Sequence, residues 1–266
     1  MLSFIISIGC GLLGAWGMLQ DQHSTTAAVF TGVGVFIVLQ IIIGLIIRKM
    51  VNRRQNEIQN ILMEAQNKIQ KRLNFYQMRP GSANMAKQEL TKLQNEAARK
   101  ALNQLEVFRP YYWWNFMLKK QINTMKMQLH FQIGEDRKVD ALLPQCLLFD
   151  PQSIAIKMAR MYRNGDAGLD KFYRRKCSRL KGDNRAFLTS VYAWIKVKQD
   201  ECDKALDAIV AARKLSDHQA LIDNCENLAN NRKKHYSNSA FGDLWYALRL
   251  EEPKVKTQRQ SHHRMF

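Results

Sequence analysis

The chain has 266 residues and a formal net charge of +18, and its mean hydropathy of -0.35 averages two unlike pieces. Asp21 is the only charged side chain before Arg48, whereas from Arg48 onward 41 Lys and Arg face 22 Asp and Glu, so a basic body follows an apolar segment. The absence of any long Gly, Ser or Pro tract argues against a floppy linker. Cys10, Cys146, Cys177, Cys202 and Cys225 show no C-x-x-C spacing, which fits free thiols in a reducing compartment rather than a disulfide framework.

Met1 to Leu19 and Ala27 to Ile47 are apolar runs of 19 and 21 residues. At about 1.5 Å per residue each reaches about 30 Å, the thickness of a hydrocarbon core, so a two-helix transmembrane hairpin is expected over 1–47. The intervening Gln20 to Thr26 holds no Lys or Arg, while Arg48, Lys49, Arg53 and Arg54 follow the second run, so the positive-inside rule puts both termini in the cytoplasm. A bacterial inner membrane is the expected location. Ser3, Ser7, Gly11 and Ala15 recur every four residues, and Ala28, Gly32, Gln40 and Gly44 share a row on the second run, small residues suited to close helix packing on each other or on other subunits. No basic region precedes the first run, and Ser7 stands where a lipobox would have leucine, which argues against a cleaved signal and against lipidation at Cys10.

Over 48–110 the periodicity predicts an antiparallel coiled-coil stalk. Val51, Ile58, Leu62, Ala65, Ile69, Leu73 and Tyr76 mark one stripe and Ala86, Leu90, Leu93, Ala97, Ala101, Leu105 and Phe108 the other, with a reversal at Arg79-Pro80-Gly81-Ser82. Arms of about 45 and 39 Å return the chain near the bilayer. There Tyr111, Tyr112, Trp113 and Trp114, followed by Lys119 and Lys120, carry the aromatic and snorkelling-cation chemistry of a membrane interface. Two readings stand for this segment, because Trp114, Leu118, Ile122, Met125, Leu129 and Ile133 also have the spacing of a buried helix stripe. Arg48 to Gly134 holds 16 basic and 5 acidic residues against 21 and 15 from Glu135 to Leu250, so the positive excess is greatest beside the expected membrane.

From 111 to 252 a helical repeat domain is expected, with turns at Asn164-Gly165-Asp166, Lys181-Gly182-Asp183, Gln199-Asp200 and Ser216-Asp217. A lag of 34 aligns Ala159 with Ala193, Asp166 with Asp200, Arg179 with Arg213 and Asp183 with Asp217. On these residues, with Ala205, Ile209 and Ala212, the segments Ser153 to Asp183 and Arg185 to Asp217 resemble tetratricopeptide repeat units. A third, irregular pair is expected from His218 to His235 and Asn238 to Leu250, with Ala240, Leu244 and Ala247 on its second helix. The family's Trp, Gly and Tyr pattern is largely missing and Lys196 stands opposite Tyr162, so a generic α-solenoid remains the alternative. The resemblance implies a basic peptide groove formed by Lys157, Arg160, Arg163, Asn164, Trp194 and Lys198, suited to acidic segments or a terminal carboxylate.

The dense run of Lys171, Arg174, Arg175, Lys176, Arg179, Lys181 and Arg185 lacks any accompanying nucleic-acid motif, which favours lipid headgroups over nucleic acid as its partner. The tail 253–266 is basic and expected to be disordered, and His262-His263 lacks the further ligands of a metal site. No H-E-x-x-H pair, phosphate loop or nucleophile elbow occurs, so no catalytic, cofactor-binding or metal residue is nominated and no enzyme activity is expected. The expected whole is an all-α chain of transmembrane hairpin, coiled-coil stalk and tetratricopeptide-like helix pairs. Its expected function is a membrane-anchored adaptor that binds a protein partner, the alternative being a homo-oligomeric scaffold subunit of a membrane complex.

Overall fold

The structure, a computed structural model, describes residues 2–20, 25–78, 83–114, 116–177 and 180–252. Among them every regular element is helical and no strand occurs, which establishes the all-α class. The expected loop around Asp21 to Ser24, the reversal at Arg79 to Ser82, Arg179 and the tail from Pro253 lie outside the described residues. The chain divides into two compact units, Met1–Leu147 and Leu148–Phe266.

The first unit begins with α1 (Leu2–Gln20), α2 (Thr25–Met78) and α3 (Ala83–Leu105). The helix α2 runs unbroken for 54 residues from the apolar run into the amphipathic one, since no Gly or Pro follows Gly44 within it. It is long and apolar enough to cross a membrane, whereas α1 carries a shorter apolar stretch, Ser3–Gly17. The two pack where side chains are smallest. A Cβ on Gly32 would lie 2.8 Å from the Gly11 carbonyl oxygen, and one on Gly11 would lie 2.9 Å from that of Gly32, so only glycine lets the backbones approach this closely. Ser3, Ser7 and Ala28 are buried on this seam, while Phe4, Leu12, Leu13, Trp16, Phe30 and Leu45 are exposed.

Farther along, α2 and α3 run antiparallel. Tyr76 donates to Glu89 near the distal end, where Arg72 also reaches Glu89 at 3.2 Å. Nearer the apolar run, Ile58 shares a buried cluster with Ala98, Ala101, Leu105 and Phe108, against which Val51 and Leu62 pack. The helix α3 ends at Leu105 rather than at Phe108, and a 3-10 stretch, Glu106–Trp113, follows because Pro110 has no N–H to continue an α-helix. Leu118, Ile122 and Leu129 of α4 (Phe116–Ile133) complete the same cluster, so the chain just after Tyr111 packs with the stalk helices. A short helix, α5 (Asp136–Leu142), closes the unit.

The second unit contains α6 (Pro151–Arg163), α7 (Leu169–Cys177), α8 (Gly182–Lys198), α9 (Cys202–Arg213), α10 (Gln219–Ala229) and the single turn α11 (Asp243–Tyr246). At the start of α6 the Asp150 carboxylate accepts the Ser153 N–H at 2.7 Å while Pro151 takes the first helical position, where its missing donor costs nothing. Every residue from Ala186 to Lys196 is buried, which makes α8 the central helix, packed against α6, α7, α9 and α10.

The helices α6, α8 and α10 end in the same way. Asp166, Glu201 and Arg232 each donate a backbone N–H to the carbonyl five residues earlier, at 2.9, 2.9 and 2.7 Å, and the preceding Gly165, Asp200 and Asn231 have φ of 66°, 60° and 58°. This left-handed cap satisfies terminal carbonyls and turns the chain back. It sets Gly165, not Asp166, equivalent to Asp200, so the local structure repeats one residue out of step with the alignment at a lag of 34. Ala159, Ala193, Ala205, Ile209 and Ala212 are all fully buried.

The expected second helix of the third pair is broken into 3-10 turns at Lys233–His235 and Ser239–Phe241 and the single turn α11. The buried Asn224 side chain donates to the Ser237 carbonyl at 2.8 Å and accepts its N–H at 3.0 Å, holding the chain extended there. Gly242 and Arg249, with φ of 52° and 55°, break it again. Tyr236, Trp245 and Leu248 are buried in place of the expected Ala240, Leu244 and Ala247 stripe, of which Ala240, Leu244 and Ala247 are exposed.

Candidate functional site

In the first unit the elements converge on a cavity of about 680 Å³. Ser3 and Phe4 come from α1; Gln40, Ile43, Gly44, Ile47, Arg48, Val51, Asn52 and Gln55 from α2; Trp114, Leu118 and Gln121 from the returning chain. It therefore straddles the step on α2 where apolar sequence gives way to basic. The Ser3 hydroxyl donates to the Trp114 carbonyl at 3.3 Å, tying the start of α1 to a residue 111 positions later. The Gln40 amide nitrogen is buried without a hydrogen-bond partner, as is the Ser7 hydroxyl.

The sequence-nominated interface residues divide here. Arg48, Lys49, Arg53 and Arg54 are exposed on α2, with Arg54 paired to Glu57 at 3.0 Å, and Lys119 and Lys120 are exposed on α4. Of the aromatics, Tyr111 and Tyr112 pack half-buried on the core cluster, Trp114 lines the cavity and Trp113 is 70 % exposed. Burial, and then the Glu106 carboxylate, push the Tyr112 hydroxyl above its ordinary range. The segment thus packs Tyr111 and Tyr112 on the core while leaving Trp113 exposed, because a 3-10 turn fans successive side chains to different sides.

In the second unit the residues nominated as a groove are not assembled into one open surface. Arg160 and Trp194 are buried. The Trp194 indole packs edge-on against Tyr162 and Trp245, and its N–H donates to Glu251 at 2.8 Å; Trp245 donates to the other oxygen of the same carboxylate at 3.1 Å. Arg160 donates to Asn164 at 3.3 Å, and Arg163 donates to the Arg249 carbonyl at 2.6 Å. The Lys157 and Lys198 ammonium groups lie 4.9 and 5.2 Å over the rings of Phe172 and Trp194. Arg160 and Trp194 are thus engaged in the core, whereas Arg163, Asn164 and Lys198 are exposed and Lys157 is partly buried.

An open cleft of about 500 Å³ lies instead among α7, α8 and α9, lined by Asp170, Tyr173, Arg174, Cys177, Arg185, Tyr192, Lys204 and Asp207 with Ala208 and Ala211. Tyr173 and Tyr192 stack at 3.9 Å on its floor. The Tyr192 hydroxyl donates to Asp170 at 3.1 Å, and the buried Lys196 bridges Asp170 at 2.6 Å and Glu201 at 3.1 Å. Partial burial pushes the Asp170 carboxyl up, but Lys196, Tyr192 and Lys204 outweigh it and hold it below its usual value; Lys204 and Lys196 lower Glu201 likewise. Burial raises Tyr173, Tyr192 and the Cys177 thiol, so all three keep their protons at neutral pH. Arg174 and Arg185 belong to the basic run visible in the sequence, but Lys204 and Asp207 reach the cleft only through helix packing.

Among the described residues no cluster of three His, Cys, Asp or Glu side chains is placed to hold a metal ion. No family model, curated protein or solved structure matches this chain.

Proposed function

We propose that the chain is a membrane-anchored adaptor whose helical-repeat unit binds another protein at the cytoplasmic face. The observation that carries this reading is the continuity of α2, one rigid 54-residue helix that joins an apolar segment of bilayer length to a basic, packed one. The glycine-mediated seam with α1 supports a transmembrane hairpin, because small residues let helices associate where the hydrophobic effect between them vanishes. The burial of Ala159, Ala193, Ala205, Ile209 and Ala212, the positions that carry the resemblance, supports a solenoid of the tetratricopeptide kind, an architecture that offers an extended binding surface. Arg174 and Arg185 in the cleft among α7, α8 and α9 suit an acidic segment of the partner.

Crosslinking in native membranes, followed by identification of the captured proteins, tests the adaptor. A specific partner that is captured by the intact chain and lost on Arg174→Glu supports it. A homogeneous high-order assembly of this chain alone, insensitive to Arg174→Glu, replaces it with the scaffold reading. Resistance to alkaline carbonate extraction tests the anchor separately, and a chain released into the soluble fraction removes it.

A further inference from the structure

The cavity between α1, α2 and the returning aromatic segment has a chemistry that changes from one end to the other. Ile43, Gly44 and Ile47 form an apolar wall, continuous with Ile42, Leu45 and Ile46, which are about half exposed on the same stretch of α2. The far end carries Arg48, Asn52, Gln55 and Gln121, and among the described residues no carboxylate lines it. Deep on the apolar side sits the unpartnered amide nitrogen of Gln40, about 12 Å along the helix from Arg48.

We propose that this cavity binds a single anionic phospholipid from the surrounding bilayer. The proposal rests on the membrane-anchor reading above. In that setting Arg48, the first charge after the apolar run, lies at headgroup depth, where it pairs with the lipid phosphate. The acyl chains lie along Ile43, Gly44 and Ile47, filling space that hydrocarbon, not water, adjoins. Trp114 closes the remaining side with an aromatic ring suited to the interface. A soluble anion would meet the guanidinium but leave the apolar wall bare. A zwitterionic lipid would fill the wall but bring a choline cation beside Arg48, Lys49 and Arg53.

Gly44 makes the proposal testable without unfolding the site, since a Cβ built there meets no atom within 4 Å and leucine would project into the cavity. The full chain, purified in detergent and delipidated, is titrated with phosphatidylglycerol and phosphatidylcholine and read by native mass spectrometry. The expected result is one retained phosphatidylglycerol with a preference of about fivefold or more over phosphatidylcholine, the order set by one interfacial cation. Arg48→Gln removes the preference, and Gly44→Leu removes the retained lipid. Equal binding of the two lipids, or retention unchanged in Gly44→Leu, overturns the site while a chain that still resists carbonate extraction keeps the anchor. Release of the chain by carbonate overturns both.

Discussion

The seam between α1 and α2 and the core around α8 are built on opposite plans. At the seam the buried positions are Ser3, Ser7, Gly11, Ala28 and Gly32, while Leu12, Trp16 and Phe30 point away. Around α8 the aromatic and aliphatic residues are inside, with Trp194, Trp245, Phe187 and Ile195 buried and most charges at the rim, Lys196 and Arg160 excepted. In the membrane-anchor reading, the inversion follows from the solvent around each. Water drives large apolar groups together, whereas in hydrocarbon they gain nothing by meeting, and the remaining drive is close packing between small residues.

Matched substitutions break or sharpen this contrast. The largest effect is expected at Trp245, which is 1 % exposed: Trp245→Ala should destabilise the second unit by about 3–5 kcal/mol, whereas Trp16→Ala at a 66 % exposed position should stay within about 0.5 kcal/mol. Thermal unfolding in detergent followed by circular dichroism measures both, and equal losses would mean that Trp16 is packed against protein. Next come the glycines. Gly32→Leu drives a side chain into the Gly11 backbone and should cost about 1–3 kcal/mol, with α1 released to protease, while Gly34→Leu meets nothing within 4 Å and should be silent.

The buried Lys196 gives an effect of about 2 kcal/mol on Lys196→Ala, moderated because Asp170 and Glu201 remain 31 % and 38 % exposed to water. Both carboxyls are held below their ordinary values in the folded chain, so the stability they contribute is present above pH about 4 and is lost as the pH falls through the lowered values. Acid titration of the folded fraction should show that loss, and Lys196→Met should flatten it. The smallest effects concern the shared caps. Gly165→Ala, at φ 66°, should cost about 1 kcal/mol, whereas Asn231→Gly, at φ 58°, should stabilise by about 0.5 kcal/mol; if both are neutral, the left-handed caps are not what ends these helices.

Much of the fold was legible because helices announce themselves locally. The alternation of Val51, Ile58 and Leu62 with charges marked the buried face of α2, and Leu118, Ile122 and Leu129 marked that of α4. Of the small-residue rows, Gly11 and Ala15 meet Gly32, whereas a Cβ on Gly44 would have no neighbour within 4 Å. The third helix pair was not legible, since Ala240, Leu244 and Ala247 have helical spacing but Asn224 captures the chain at Ser237 from another helix. The burial of Trp194 and Arg160, two of the six nominated groove residues, was not legible either, since it depends on contacts with distant segments such as Trp245 and Glu251 that no local pattern records. The cavity at Gln40 and Arg48 escaped notice because its third wall, Trp114 to Gln121, comes from far along the chain.

Composition and periodicity alone therefore determined the all-helical class, the apolar segment of α2 and the basic stretch that follows it, since each is a property of contiguous residues and their 3.6-residue spacing. Tertiary structure decided that the aromatic segment shares itself between core and cavity, and that an open cleft forms among α7, α8 and α9. Those outcomes depend on which surfaces of separate helices meet. A sequence specifies such meetings only through the summed packing of the whole unit.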